Sequence, residues 1–246
     1  MYKGYFLKRC RAAFIVMDIA MVLLLFVLYG RTGLESKSAV GSEIEAQTES
    51  ISAWQPPEIK KVALTFDDGP HYAYTKILLD GLKERDVKAS FFLIGESIAG
   101  NEAIVKRMDE EGHLIGVHCM QHTDLTKEPM TDALSQLADT GKMIEEITGK
   151  APEYVRPPYG SWNTSLDEQV AEKLSMAPVF WSVDSVDWKL KNTSKIVNRV
   201  MNDTDDGDII LMHDEFSTSI DAAFQIIDNL LANGYTFVTV DELTID

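Results

Sequence analysis

Val62-Ala63-Leu64-Thr65-Phe66-Asp67-Asp68-Gly69-Pro70 decides the fold, because a strand-length apolar run stops there on two carboxylates and a turn. Runs of the same kind recur at Ala89 to Ile94, Leu114 to Val117, Tyr154 to Val155, Val179 to Val183, Ile209 to Met212 and Phe237 to Val240, with helix-like stretches between them. In one such stretch Leu134, Leu137, Ala138, Gly141, Ile144 and Ile147 recur at three- and four-residue spacing, and Gly149 stands at its end as a C-cap. Another helix is expected from Ile220 to Leu231. Strands buried on both faces and separated by helices imply parallel pairing with right-handed crossovers, which leaves a barrel or an open doubly wound sheet. The turn Asp68-Gly69-Pro70-His71 lacks the Lys and the glycine spacing of a nucleotide-binding loop. The expected fold is therefore α/β: a distorted or incomplete (β/α) barrel with about seven parallel strands, preceded by an N-terminal transmembrane helix.

Reactive side chains gather at the ends of these runs, where barrel enzymes keep their chemistry. Asp67 and Asp68 are adjacent, so their side chains diverge on a strand unless the Gly69-Pro70 turn bends the backbone; one can then hold a metal while the other acts as a general base. His118 and His122 are four apart, which places two imidazoles on one face if the segment is helical and suits a zinc-like ion. The zinc-peptidase pattern fails, since Cys119 and Met120 occupy the place of its glutamate. Two histidines plus Asp68 also match the facial set of non-haem iron oxygenases, but that reading leaves Arg156, Asp187 and His213 without a role. Taken singly, an acidic turn and a histidine pair are ordinary structural features. Arg156 precedes two prolines that stiffen its turn, and its fork of donors suits an ionised Asp base. His213 ends another run, where an imidazole can protonate a leaving amine, and a carboxylate such as Asp187 would raise its pKa and fix its tautomer. His71 and His113 belong to no motif and read as structural or solvated.

In this order, the segments Thr65 to Pro70, His118 with His122, Arg156-Pro157-Pro158-Tyr159-Gly160, Asp184 with Asp187-Trp188, and Leu211-Met212-His213 resemble those of the polysaccharide deacetylases, carbohydrate esterase family four, also called the nodulation-type deacetylase domain. The resemblance covers roughly residues 58 to 246, and from Gly160 to Leu243 it is closest to bacterial peptidoglycan N-acetylglucosamine deacetylases. It implies Asp67 as general base, Asp68, His118 and His122 as metal ligands, and His213 as general acid. It further implies that Arg156 orients Asp67, that Asp187 tunes His213, that Tyr159 lends a backbone N–H to the oxyanion, and that Trp188 and Leu211 line a pocket for the acetyl methyl. Asp184 is a supporting residue. The implied cofactor is a divalent metal, Zn2+ first, with Co2+, Ni2+ or Mn2+ as alternatives. This chain departs from the family at Cys119, where a Ser or Thr usually follows the first metal histidine; a thiol is a weaker donor.

The N-terminus carries a different signal. Lys3, Lys8, Arg9 and Arg11 precede about 18 mostly apolar residues, Ala12 to Tyr29, near the lower limit for spanning a bilayer. With basic residues inside, residues 1–11 are expected in the cytoplasm, 12–29 as a signal anchor interrupted by Asp18, 30–57 as a flexible linker, and 58–246 as the catalytic domain outside a bacterial cell membrane. A cleaved signal peptide and secretion are the alternative, though Leu28-Tyr29-Gly30-Arg31 offers no cleavage site. The whole chain has 23 basic and 39 acidic residues; beyond residue 34 there remain 18 against 38, a net −20 that repels nucleic acid. Cys10 and Cys119 lie on opposite sides of the anchor, so no disulfide is expected. A tethered, extracytoplasmic deacetylase is expected to act on an acetylated polysaccharide, peptidoglycan first, removing acetyl groups from N-acetylglucosamine. Chitin-like oligomers, an exopolysaccharide and O-acetylated xylan are alternatives within the family; a catalytically silent glycan-binding protein is the alternative outside enzymes.

Overall fold

The structure, a computed structural model, describes residues 59–243. The expected cytoplasmic segment, anchor and linker lie outside the described residues, and among the described ones no helix is long and apolar enough to cross a membrane. In chain order the elements are β1 (Lys60–Asp67), α1 (Tyr74–Glu84), β2 (Ser90–Leu93), α2 (Gly95–Ile98), α3 (Glu102–Glu110), β3 (Leu114–Val117), α4 (Met130–Thr148), β4 (Tyr154–Val155), α5 (Thr164–Leu174), β5 (Ala177–Pro178), β6 (Val183–Asp184), α6 (Asp187–Leu190), α7 (Thr193–Asp203), β7 (Ile209–His213), α8 (Ser217–Ala232), β8 (Tyr235–Val238) and α9 (Val240–Leu243). Gly149, at φ 74°, closes α4 in the left-handed conformation that a glycine adopts without a Cβ penalty.

The sheet order is β5-β4-β3-β2-β1-β7-β6, with β8 added beside β1, and every pairing is parallel. β1 is the hub: Lys60 to Ala63 pair with β8, Thr65 to Asp67 with β2, and the other edge with β7. Its alternating faces explain why the run is apolar throughout. Val62, Leu64 and Phe66 join the large core under the helices, where Phe66 stacks on Phe91 at 5.4 Å, whereas Ala63 joins the small inner cluster with Phe92, Val179 and Val240. Burying each large side chain of this strand contributes about 1.5–3 kcal/mol.

The described sheet has seven strands in its main order and an eighth, β8, beside β1, which agrees with the expectation of about seven; one segment differs from the expectation. The run Val179 to Val183 is not a strand; it is a crossing between the two edges, β5 and β6, which do not pair with each other. Val179 N–H still bonds Val155 O at 2.8 Å, while Ser182 N–H bonds Ile209 O at 3.1 Å, so the chain steps across the barrel within four residues. Its middle carbonyls, Val179 O and Phe180 O, accept from the Arg156 guanidinium at 3.3 and 3.2 Å rather than from a neighbouring strand. The barrel is incomplete at this seam, and a side chain replaces the missing ladder.

His113, before β3, is 7% exposed and structural: its Nδ1 accepts from Ala89 N–H at 3.1 Å and its ring meets Phe91 edge-on. Burial, helped by the Lys88 charge, pushes the imidazole down from 6.5 to about 4. The folded state thus refuses a proton that the unfolded chain takes up, so this contribution is complete above pH 6.5 and is lost as pH falls toward 4. By linkage the loss amounts to about 3 kcal/mol. His113→Asn keeps an acceptor for Ala89 without a titrating group. In urea unfolding at pH 7 and pH 4, the wild type is expected to lose about that much more stability than His113→Asn; parallel losses contradict this account.

Candidate active site

All strands run the same way, so their C-terminal ends deliver Asp67, His118, Arg156, Asp184 and His213 to one end of the barrel. Asp67 points inward from β1 with Thr65, two residues earlier on the same face. Asp68 follows at φ 72°, a left-handed turn that swings its carboxylate to the same side instead of the opposite one. Both carboxylates line a cavity of about 420 Å3 together with His118, His122, Pro157, Tyr159, Trp181, Asp184, Trp188, Leu211 and His213. A larger cavity, about 590 Å3, opens at the other end of the sheet beside His113, Leu114 and Tyr154, but it holds none of these groups.

The His118–His122 segment is a loop and not a helical turn, which corrects the face-sharing expected from their spacing: Cys119 and His122 have φ of 79° and 55°. The imidazoles converge all the same. His118 Nδ1 lies 2.6 Å from Arg156 O. A carbonyl only accepts, so Nδ1 carries the hydrogen and Nε2 presents its lone pair to Asp68 Oδ1 at 3.4 Å. His122 Nε2 approaches the same oxygen at 3.5 Å. Burial pushes both imidazoles below their usual range, so they are neutral, while burial raises Asp68 despite the charges of His118 and His213. Asp68 Oδ1 is buried without a protein hydrogen-bond partner among the described residues, and the three ligand atoms stand within 4.8 Å of one another. Two imidazole nitrogens and a carboxylate oxygen with no donor among them fit a divalent cation of the zinc type, and they leave coordination positions open.

On either side stand two braced groups. Arg156 has no exposed surface; its Nη1 donates to Asp67 Oδ1 at 2.9 Å and to Thr65 Oγ1 at 2.6 Å, and its plane lies over the Phe92 ring at 4.2 Å. Asp67 Oδ2 faces His118 Nε2 at 3.8 Å. Opposite, Asp187, also fully buried, takes His213 Nδ1–H at 2.7 Å on one oxygen and His213 N–H at 2.9 Å on the other. Burial alone would push His213 down, but the bond and charge of Asp187, with Asp67 and Asp68, outweigh it and raise the imidazole to about 9. Burial likewise works to raise Asp187, yet the His213 bonds hold it below the usual carboxylate range. The second nitrogen, Nε2, is left facing Asp68 Oδ2 at 3.9 Å. Tyr159, at φ 60°, donates its hydroxyl to His122 O at 3.2 Å and sets its ring edge-on to His122. Trp188 is half exposed at the rim and Leu211 buried in the wall. Cys119 is fully buried and its sulfur faces Gln136 rather than the three ligands.

Three participants were not singled out in the sequence. Thr65 was detectable, being two residues before Asp67 on an alternating strand. Trp181 lies on the seam crossing, whose path no local pattern announces. Asp214 is fully buried below the Asp67-Asp68 turn: Thr75 donates its hydroxyl to Asp214 and accepts from His71 N–H at 2.7 Å, and a Cβ on Gly69 would meet the Asp214 oxygens at 2.7 and 2.9 Å. Glycine at 69 is therefore a steric requirement.

Sequence and structure comparisons give the family of the chain. The family model described as polysaccharide deacetylase matches residues 55–179. The chain is similar to peptidoglycan-N-acetylglucosamine deacetylase PgdA of Listeria monocytogenes, 42% identical over 184 residues that cover 75% of this chain and 39% of that protein. It is similar to peptidoglycan-N-acetylmuramic acid deacetylase PdaC of Bacillus subtilis, 44% identical over 187 residues, covering 76% and 39%. The chain thus spans about two fifths of the length of these curated relatives. The solved structure of PdaC from Bacillus subtilis superposes with a TM-score of 0.72 at 43% identity, over 77% of this chain and 92% of that one.

Burial pushes the Asp214 carboxyl up to about 7, and the Glu215 and Asp68 charges add to this against the Thr75 hydrogen bond. A raised pKa contributes stability that is complete below pH 3.8 and is lost as pH rises through 7. Asp214→Asn keeps the shape and an acceptor for Thr75 while removing the charge. Raising pH from 4 to 8 is expected to cost the wild type a few kcal/mol more than Asp214→Asn in thermal or urea unfolding; an equal slope in both proteins contradicts it.

Proposed function

Because the chain belongs to the polysaccharide deacetylase family, we propose that it hydrolyses N-acetyl groups on N-acetylglucosamine residues of bacterial peptidoglycan. The observation that carries this reading is the buried, partnerless Asp68 oxygen facing two neutral imidazoles, with an Arg-braced carboxylate and an Asp-braced imidazole on its flanks. The named relatives act on peptidoglycan, one on N-acetylglucosamine and one on N-acetylmuramic acid. Among the described residues that line the cavity there is no Lys or Arg to pair with the carboxylate of a muramic acid, which favours the neutral sugar. The basic cluster before residues 12–29 supports a single-pass anchor that holds the domain outside the membrane, with residues 30–57 as its tether.

Asp68, His118 and His122 would hold the cation, Zn2+ by the character of its donors, which supplies Lewis acidity toward a carbonyl oxygen and toward water. Asp67 has Oδ1 committed to Arg156, so Oδ2 is the atom that takes the proton of the attacking water. Arg156 fixes the direction of that carboxylate. The Tyr159 main-chain N–H serves the developing oxyanion, a term worth about 3 kcal/mol at comparable sites. Trp188 and Leu211 enclose the methyl group. His213, protonated at neutral pH and oriented by Asp187, delivers the Nε2 proton to the amine as the C–N bond breaks and acetate leaves.

Acetate release from peptidoglycan and from N-acetylglucosamine oligomers, with and without added Zn2+, tests this reading. Asp67→Asn and His213→Ala are each expected to lower turnover by about 10²–10⁴-fold while Zn2+ stays bound, and His118→Ala to lose metal and activity together. Near-wild-type turnover in either of the first two variants overturns the assignment. Release from oligomers alone moves the target to another glycan, and no release with Zn2+ bound favours a silent glycan-binding protein.

A further inference from the structure

On the α4 side, the loop that carries His118 and His122 is held by one side-chain amide. Gln136 sits on α4, partly buried, one helical turn before the fully buried Thr140. Its Oε1 accepts from Cys119 S–H at 2.9 Å and from Gln121 N–H at 3.2 Å, and its Nε2 donates to Thr123 Oγ1 at 2.9 Å. Residues 119, 121 and 123 thus turn toward α4, while 118 and 122, between them, turn toward Asp68. The loop needs such a hold, because Cys119 and His122 both adopt left-handed φ without being glycine. The other side is clamped by the main chain of α2, Gly95 N–H to Cys119 O and Glu96 N–H to Met120 O. That clamp reaches Cys119 and Met120, and the Tyr159 hydroxyl reaches His122 O, whereas Gln136 alone bonds Cys119, Gln121 and Thr123 together.

We infer that Gln136 is a positioning residue for the metal-ligand loop, acting through Cys119, Gln121 and Thr123 to aim both imidazoles at Asp68. This rests on the reading of Asp68, His118 and His122 as a metal site. It also gives Cys119 a role: its thiol supplies the donor that Gln136 needs on that side, so a hydroxyl at this position would serve the same amide. Groups that orient ligands from behind typically change metal affinity by about 10–100-fold when removed.

The test is the Zn2+ dissociation constant of the full chain, measured by competition with a chromogenic chelator, beside the thermal midpoint of the metal-free protein. Gln136→Leu is expected to weaken Zn2+ binding at least about 10-fold with the metal-free midpoint within about 2 °C of wild type. Gln136→Glu is expected to restore affinity, since a carboxylate accepts from the thiol, the amide N–H and the Thr123 hydroxyl alike. Cys119→Ser is expected to bind like wild type. Unchanged affinity in Gln136→Leu overturns the inference. So does a matching fall in metal-free stability that Gln136→Glu does not rescue, which would make Gln136 a packing residue only. If wild type itself binds no Zn2+, the metal site falls and this inference falls with it, an outcome visible in the wild-type control alone.

Discussion

A guanidinium with no exposed surface must be given a counter-charge and acceptors by the chain around it, and at Arg156 those partners are the elements that would otherwise come apart. Asp67 and Thr65 tie it to the central strand; Val179 O and Phe180 O tie it to the crossing that spans the unpaired edges β5 and β6. Removing one member of such a buried pair leaves an uncompensated charge and typically costs roughly 3–5 kcal/mol. A barrel closed by strand pairing would not need this cation. Here the incomplete ladder and the Asp67 carboxylate are satisfied by the same side chain, so completing the fold and orienting Asp67 are one event.

The acid–base character of the site follows from how each group is partnered rather than from how deeply it is buried. Asp187 and Asp214 are both fully buried carboxyls near β7, yet one is held below the usual range by two hydrogen bonds from His213 and the other is pushed to about 7 with only Thr75 to bond it. Asp187 holds the His213 proton at neutral pH, whereas Asp214 serves as a wedge beneath Gly69. Pairs of like groups driven apart by their surroundings are how one protein supplies both acid and base at a single pH.

Much of this was legible in the chain. The strand-length apolar runs and the polar residue ending each of them led to a parallel barrel with its reactive groups at one end, because burial on both faces leaves a pattern that local sequence records. The four-residue spacing of His118 and His122 suggested a helix where there is a loop, since left-handed φ at Cys119 and His122 is imposed by contacts with α2 and α4 that are distant in sequence. The run Val179 to Val183 had strand composition but no strand partner, and its carbonyls found a side chain instead. Asp214 and Gln136 carried no local signal, for each acts on a turn brought to it only by the fold. The resemblance to the deacetylases implied Arg156 behind Asp67 and Asp187 behind His213, and was silent on Asp214 and Gln136.

Arg156 touches both halves of the site by different parts of itself: its main-chain oxygen holds the His118 ring and its guanidinium holds Asp67. The spacing between ligand and base is therefore measured off by the covalent skeleton of one amino acid, a ruler whose bond lengths do not fluctuate. An enzyme built on a barrel with a loose wall can in this way keep tight tolerances at its reacting centre.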